Sequence, residues 1–222
     1  MPRLKPALSA VLLALALPVL AAAGGCRSTT ATHTADTTVF LAPKVSITLP
    51  PPVLAAPLTS EKLLTSTVIS TAGGTVRKTT HTLHVVLEAD GSRVVLAGIS
   101  TLGVRIFKIT YSATGIETEQ HVKIEKAPPP AQLLADVMLC HWPLAVWQKQ
   151  LPAGWTIEDI KSPPPAPESR IRSEVPAGGS IRVLRDPSRR IVEEVVFNAA
   201  GAPVRILHRL FGYDVRLDPL DD

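Results

Sequence analysis

Apolar positions along the chain recur at two periods. From Thr82 to Glu88, Leu83, Val85 and Leu87 share one face while Thr82, His84 and Glu88 share the other, and Asp90-Gly91 then supplies a turn into Arg93 to Ala97. This alternation predicts a β-hairpin. Ile99 to Gly103 connects it to Val104–Tyr111, where Phe107, Ile109 and Tyr111 lie on one face and Val104 and Ile106 on the other. Apolar residues on both faces predict a sheet that packs on two sides or curls around something. After Ala127-Pro128-Pro129-Pro130 the spacing turns helical: Leu133, Leu134, Val137, Met138 and Trp142 form a stripe, Trp142-Pro143 breaks it, and Leu144, Trp147 and Leu151 begin a second short helix. Pro163 to Pro167 reads as an exposed loop. Strand patterns then return at Ser180 to Leu184, Arg190 to Phe197, Pro203 to Leu210 and Tyr213 to Leu217. The expected class is mainly β (α+β).

The two ends read differently. Arg3 and Lys5 precede an apolar run from Ala7 to Ala23, followed by Gly24-Gly25-Cys26, the layout of a secretory signal with a small-residue cleavage site. The run is short for a bilayer span and contains Pro18. Residues 1–25 are therefore expected to be a signal peptide, 26–57 a flexible Pro/Thr-rich tether with one short strand between Val39 and Leu49, 58–217 the folded domain and 218–222 an acidic tail.

Charge then loses its first meaning. The whole chain has a formal net charge of +4 and a pI near 9.3, but without Arg3 and Lys5 there remain 21 basic against 19 acidic residues. That balance removes most of the case for a nucleic-acid partner, and 4% aromatic residues are too few for base-stacking platforms. A 222-residue chain that is 45% hydrophobic can bury a core without disulfides.

Catalytic and metal-binding patterns are not found. There is no G-x-S-x-G, H-E-x-x-H, phosphate-binding glycine loop or C-x-x-C. His81 and His84 are three apart, hence on opposite faces of a strand. Cys140 and His141 are helix neighbours whose side chains diverge, so Cys140 reads as a buried small residue. Glu193 and Glu194 read as surface residues on opposite strand faces. No enzyme activity, cofactor or metal is expected.

Cys26, directly after three small residues, resembles the lipobox of bacterial lipoproteins, in which the cysteine is the lipidation site; leucine more often stands where Ala23 does. Arg27 in place of an aspartate implies sorting to the outer membrane, periplasmic face. Ser92 to Leu96 with Ser100-Thr101-Leu102-Gly103, and the segment LAVWQKQLPAG from Leu144 to Gly154, resemble the outer-membrane lipoprotein-insertion protein LolB and its periplasmic carrier partner LolA. Gly98, Leu102, Gly103, Arg105 and Phe107 match a G-x-x-x-L-G-x-R-x-F pattern of a family of predicted outer-membrane lipoproteins often encoded beside aryl-polyene biosynthesis genes. The resemblance implies an incomplete antiparallel β-barrel, with two or three short helices closing its concave face over an apolar cavity. Leu83, Val85, Leu87, Phe107 and Ile109 would line that cavity and hold a lipoprotein acyl chain or an aryl-polyene lipid; the same residues would equally fill a closed core. Leu102 at the loop tip would either project and deliver lipid-modified cargo or tuck under the sheet. The implied partners are the membrane lipid, the lipidic ligand or cargo, and a periplasmic carrier. A structural or assembly lipoprotein with no ligand is the alternative.

Overall fold

The computed structural model describes residues 30–72, 75–122, 129–161 and 171–220. The signal segment, Cys26, the Pro163 to Pro167 loop and residues 221–222 lie outside them. In chain order the elements are β1 (Thr30–Thr34), β2 (Thr38–Ala42), β3 (Val45–Thr48), β4 (Leu58–Ala72), β5 (Thr75–Ala89), β6 (Arg93–Ser100), β7 (Arg105–Ser112), β8 (Gly115–Gln120), α1 (Pro130–His141), α2 (Leu144–Gln148), β9 (Thr156–Lys161), β10 (Ser180–Arg185), β11 (Ile191–Phe197), β12 (Pro203–His208) and β13 (Tyr213–Asp218). A 3-10 turn at Arg172–Glu174 precedes β10. The fold is mainly β with few helices.

Among the described residues, eleven strands form one antiparallel sheet in the order β1-β8-β7-β6-β5-β4-β13-β12-β11-β10-β9, and β2 pairs with β3. Two meanders, β4 to β8 and β9 to β13, meet where β4 pairs with β13, with Leu64 opposite Leu217 and Val68 opposite Tyr213. The sheet is open, ending on β1 and β9.

Helix α1 begins with Pro130 at its first positions, where a fixed φ suits the helix and the missing N–H leaves nothing unpaired. It stops at Trp142, extended ahead of Pro143, where the sequence places the break. The helix packs on one face of the sheet, here termed inner. Val137 shares a cavity with Phe107 of β7, and two residues later the Leu139 carbonyl accepts a 2.6 Å hydrogen bond from Arg182 of β10. Seven strand spacings separate β7 from β10, about 34 Å in a flat sheet at ~4.8 Å each. The sheet therefore bends around the helix.

The expected tether does not hold for residues 30–57. β1 pairs with β8 along its length, from Thr30 opposite Gln120 to Thr34 opposite Ile116, and Val39, Leu41, Ile47 and Leu49 are buried in the main core. The Pro50 and Pro51 carbonyls accept hydrogen bonds from the Tyr111 hydroxyl (3.0 Å) and the Trp142 indole (3.1 Å), which pins the proline run to β7 and α1. An edge strand needs backbone pairing rather than an apolar face, and threonine favours strands, so TATHT is a strand without an apolar pattern.

Candidate functional site

Inward-facing positions follow from the register. Leu83 faces Leu64 and Ser100, Val85 faces Lys62 and Gly98, Leu87 faces Ser60 and Leu96, and Phe107 and Ile109 face Gly98 and Leu96. Between this surface and α1 lies a cavity of about 60 Å³. Val85, Leu87 and Phe107 line it with Leu96, Val137 and Val215. Leu83 is half-buried and packs against the core. Ile109, fully buried, fills the core nearby. The sequence thus places five residues on the correct face, and three of them reach the cavity.

Gly98 has a specific reason to be glycine. It sits opposite Phe107, and a methyl group there would overlap the aromatic ring. The ring lies across the bare backbone and makes one wall of the cavity. Further along, the Ser100 backbone exchanges hydrogen bonds with the loop: its N–H donates to the Val104 carbonyl (2.8 Å), and its carbonyl accepts from Gly103 N–H (2.9 Å). Its hydroxyl also accepts from Val104 N–H at 3.1 Å. Gly103 takes the left-handed conformation this turn demands, with φ +78°. Leu102, between these anchors, projects with 89% of its surface exposed. Of the two alternatives for this loop, the projecting one is realised.

The inner face also carries polar groups that sequence reasoning missed. Glu193, His208 and Tyr213 are direct cross-strand neighbours on β11, β12 and β13. Above them, Asp136 of α1 accepts hydrogen bonds from the Tyr213 hydroxyl (2.7 Å) and the Gln132 side-chain amide (3.0 Å). Burial pushes the Asp136 carboxyl up to about 7 against the pull of these two bonds. Burial, and then the neighbouring Asp136, hold Glu193 well above the ordinary carboxyl range. His208 is pushed down to about 4 by burial; its Nδ1 accepts from Phe211 N–H at 3.2 Å. Cys140 is a buried free thiol, raised by burial and by Glu193 and Asp136.

Glu193 and Glu194 are on opposite faces as expected, but the expectation that they are surface residues is incorrect. Both are buried, at 3% and 0% exposure, because β11 is covered twice. Glu193 lies under α1, while Glu194 faces a second apolar cluster of Ile171, Ile181, Val183, Ile191 and Val196 and pairs with Arg209. His81 and His84 fall on opposite faces, His84 outward within 3.4 Å of Glu61.

Arg182 fixes the end of the helix. Its guanidinium grips Asp159 with bonds of 2.8 and 2.9 Å and donates to the carbonyls of Leu139 (2.6 Å) and Trp142 (2.9 Å). These terminal carbonyls have no partner within the helix, and a cation there also complements the helix dipole.

Fold and site together define an open, bent antiparallel sheet with a helix seated over a small apolar cavity and a buried acidic cluster. Residues 69–221 match the model of a family described as "Protein of unknown function (DUF3261)", and the chain belongs to that family. No curated protein matches the sequence.

Proposed function

We propose that this protein is an outer-membrane lipoprotein, anchored through Cys26 on the periplasmic face, that binds or hands over a lipidic molecule between α1 and the concave face of an incomplete β-barrel. The ligand is a lipoprotein acyl chain or an aryl-polyene lipid, passed on by or to a periplasmic carrier. The observation that carries this reading is the apolar cavity walled by Val85, Leu87 and Phe107 on one side and α1 on the other. The projecting Leu102 supports it, since an exposed leucine held on a built turn suits contact with membrane or cargo. An apolar lining holds acyl chains by excluding water, without directional contacts.

A second reading is a structural or assembly lipoprotein that takes no ligand. The cavity volume favours it: about 60 Å³ is well below the ~300 to 1,000 Å³ of ordinary ligand pockets, so an acyl chain enters only when α1 shifts outward. Lipid extraction and mass spectrometry of purified Cys26→Ser protein separate the two. Stoichiometric co-purified lipid supports the carrier; neither co-purified lipid nor uptake of an added amphiphile supports the scaffold.

A further inference from the structure

One residue on the cavity wall does not fit an apolar container. Lys62 of β4 points to the inner face, opposite Val85, and lines the cavity together with Ser60 and Leu64. Its side chain is half-buried, and among the described residues no carboxylate forms an ion pair with it. Glu61, next in the chain, faces outward and sits beside His84. Asp136, the carboxyl on the α1 wall of the cavity, accepts hydrogen bonds from Tyr213 and Gln132. Of the other ionisable wall residues, Cys140 keeps its proton because burial raises its thiol, and His141 is neutral near pH 7, pushed down to about 4 by burial, then by Arg182 and Lys62. Arg182 is itself neutralised by Asp159. Below about pH 7, where Asp136 keeps its proton, the cavity therefore carries one uncompensated positive charge at the edge of an apolar lining.

A lone cation beside an apolar wall is complementary to an amphiphile with an anionic head, because the charge-assisted hydrogen bond fixes the head while the chain leaves water. We propose that Lys62, with the Ser60 hydroxyl beside it, is the head-group subsite for a single-chain lipid bearing a carboxylate or phosphate monoester, whose chain runs along Leu64, Val85 and Leu87. This rests on the carrier reading above and narrows its ligand to an anionic class.

The test is calorimetric titration of the full-length Cys26→Ser chain with four dodecyl amphiphiles, below their micelle concentrations: dodecanoate, dodecyl phosphate, dodecanol and dodecyltrimethylammonium. Inorganic phosphate is the fifth titrant. The two anionic amphiphiles are expected to bind about tenfold more tightly than the other two, the difference one charge-assisted contact supplies, and inorganic phosphate alone not to bind. Lys62→Gln should bring the anions to the dodecanol level, and Lys62→Arg should keep their advantage. Equal binding of all four heads, or unchanged dodecanoate affinity in Lys62→Gln, overturns the head-group assignment and leaves the carrier reading standing. Tight binding of inorganic phosphate overturns it too, since the site is then a bare anion site. No binding of any amphiphile overturns both. Should Lys62→Gln fail to fold, the ranking of heads on the otherwise unaltered chain still decides.

Discussion

Replacing Asp136 by asparagine isolates one costly buried group under α1. The carboxyl titrates near 7 in the folded chain against 3.8 ordinarily. Between these values the folded protein keeps a proton that the unfolded chain has released, so ionisation of the unfolded chain draws the equilibrium toward unfolding as pH rises. Each unit is worth about 1.4 kcal/mol, and the three units amount to about 4 kcal/mol by pH 7, a large share of a typical domain stability of roughly 5 to 15 kcal/mol. Below pH 4 both states are protonated and the effect vanishes; above about 7 both are ionised and it levels off.

The pH profile of the unaltered protein does not expose this directly. His141 and His208 are held down to about 4, so between pH 4 and 6.5 the unfolded chain gains protons there that the folded chain refuses, and stability rises with pH. Glu193 acts in the same direction as Asp136. The informative quantity is the difference between variant and parent. Asparagine keeps an acceptor for the Tyr213 hydroxyl, and Gln132 can turn its carbonyl oxygen toward the new amide. In urea unfolding at pH 4, 5, 6, 7 and 8, Asp136→Asn should gain on the parent by about 1.4 kcal/mol per unit up to pH 7 and then stay level. A stability difference that is flat across the series refutes the assignment of a displaced carboxyl at this position.

Arg182→Ala leaves the Leu139 and Trp142 carbonyls and Asp159 without their donor and should cost about 3 to 5 kcal/mol in chemical denaturation, as breaking a buried charged contact does. Gly98→Ala should lose about 1 to 3 kcal/mol through overlap with the Phe107 ring, and combining it with Phe107→Leu should restore part of that loss in thermal melting. Val39→Asp puts a charge in the main core and should unfold or severely destabilise the chain; a melting temperature within a few degrees of the parent would return residues 30–57 to the status of a tether. Leu102→Glu changes an exposed side chain, so stability should stay within about 0.5 kcal/mol while release of cargo to outer-membrane vesicles falls; unchanged release contradicts a delivery role for this leucine.

The elements legible in the sequence are those where apolar and polar residues alternate cleanly. Thr82 to Glu88 lies in the C-terminal half of β5, Val104 to Tyr111 covers β7 except Ser112, Trp142-Pro143 ends α1, and Tyr213 to Leu217 forms most of β13. The long strand β4 escaped because its inner face reads Leu58, Ser60, Lys62, Leu64, Ser66, Val68 while its outer face reads Thr59, Glu61, Leu63, Thr65, Thr67. With polar residues on both sides there is no contrast for periodicity to detect, although the threonines carry strand propensity. β1 escaped for the same reason.

The polar cluster under α1 was invisible for a different reason. Glu193 is buried because Leu184 and His208 flank it on the inner face, while Glu194 is buried by a separate cluster on the other side. Nothing local to Glu193-Glu194 carries that information, since both covers come from distant parts of the chain. Asp136 offered the nearer clue: it lies four residues after Gln132, hence on the same helical face, next to the stripe that packs on the sheet. A carboxylate beside that stripe needs donors from the facing strands, and Tyr213 was already placed in an alternating run with Val215 and Leu217. Following each polar exception on an apolar face to its required partner recovers the Asp136–Tyr213 contact, which apolar periodicity alone does not. Applied to Lys62 the same rule meets no partner among the described side chains, and for that reason a site hypothesis begins at this lysine rather than at the better satisfied cluster beneath the helix.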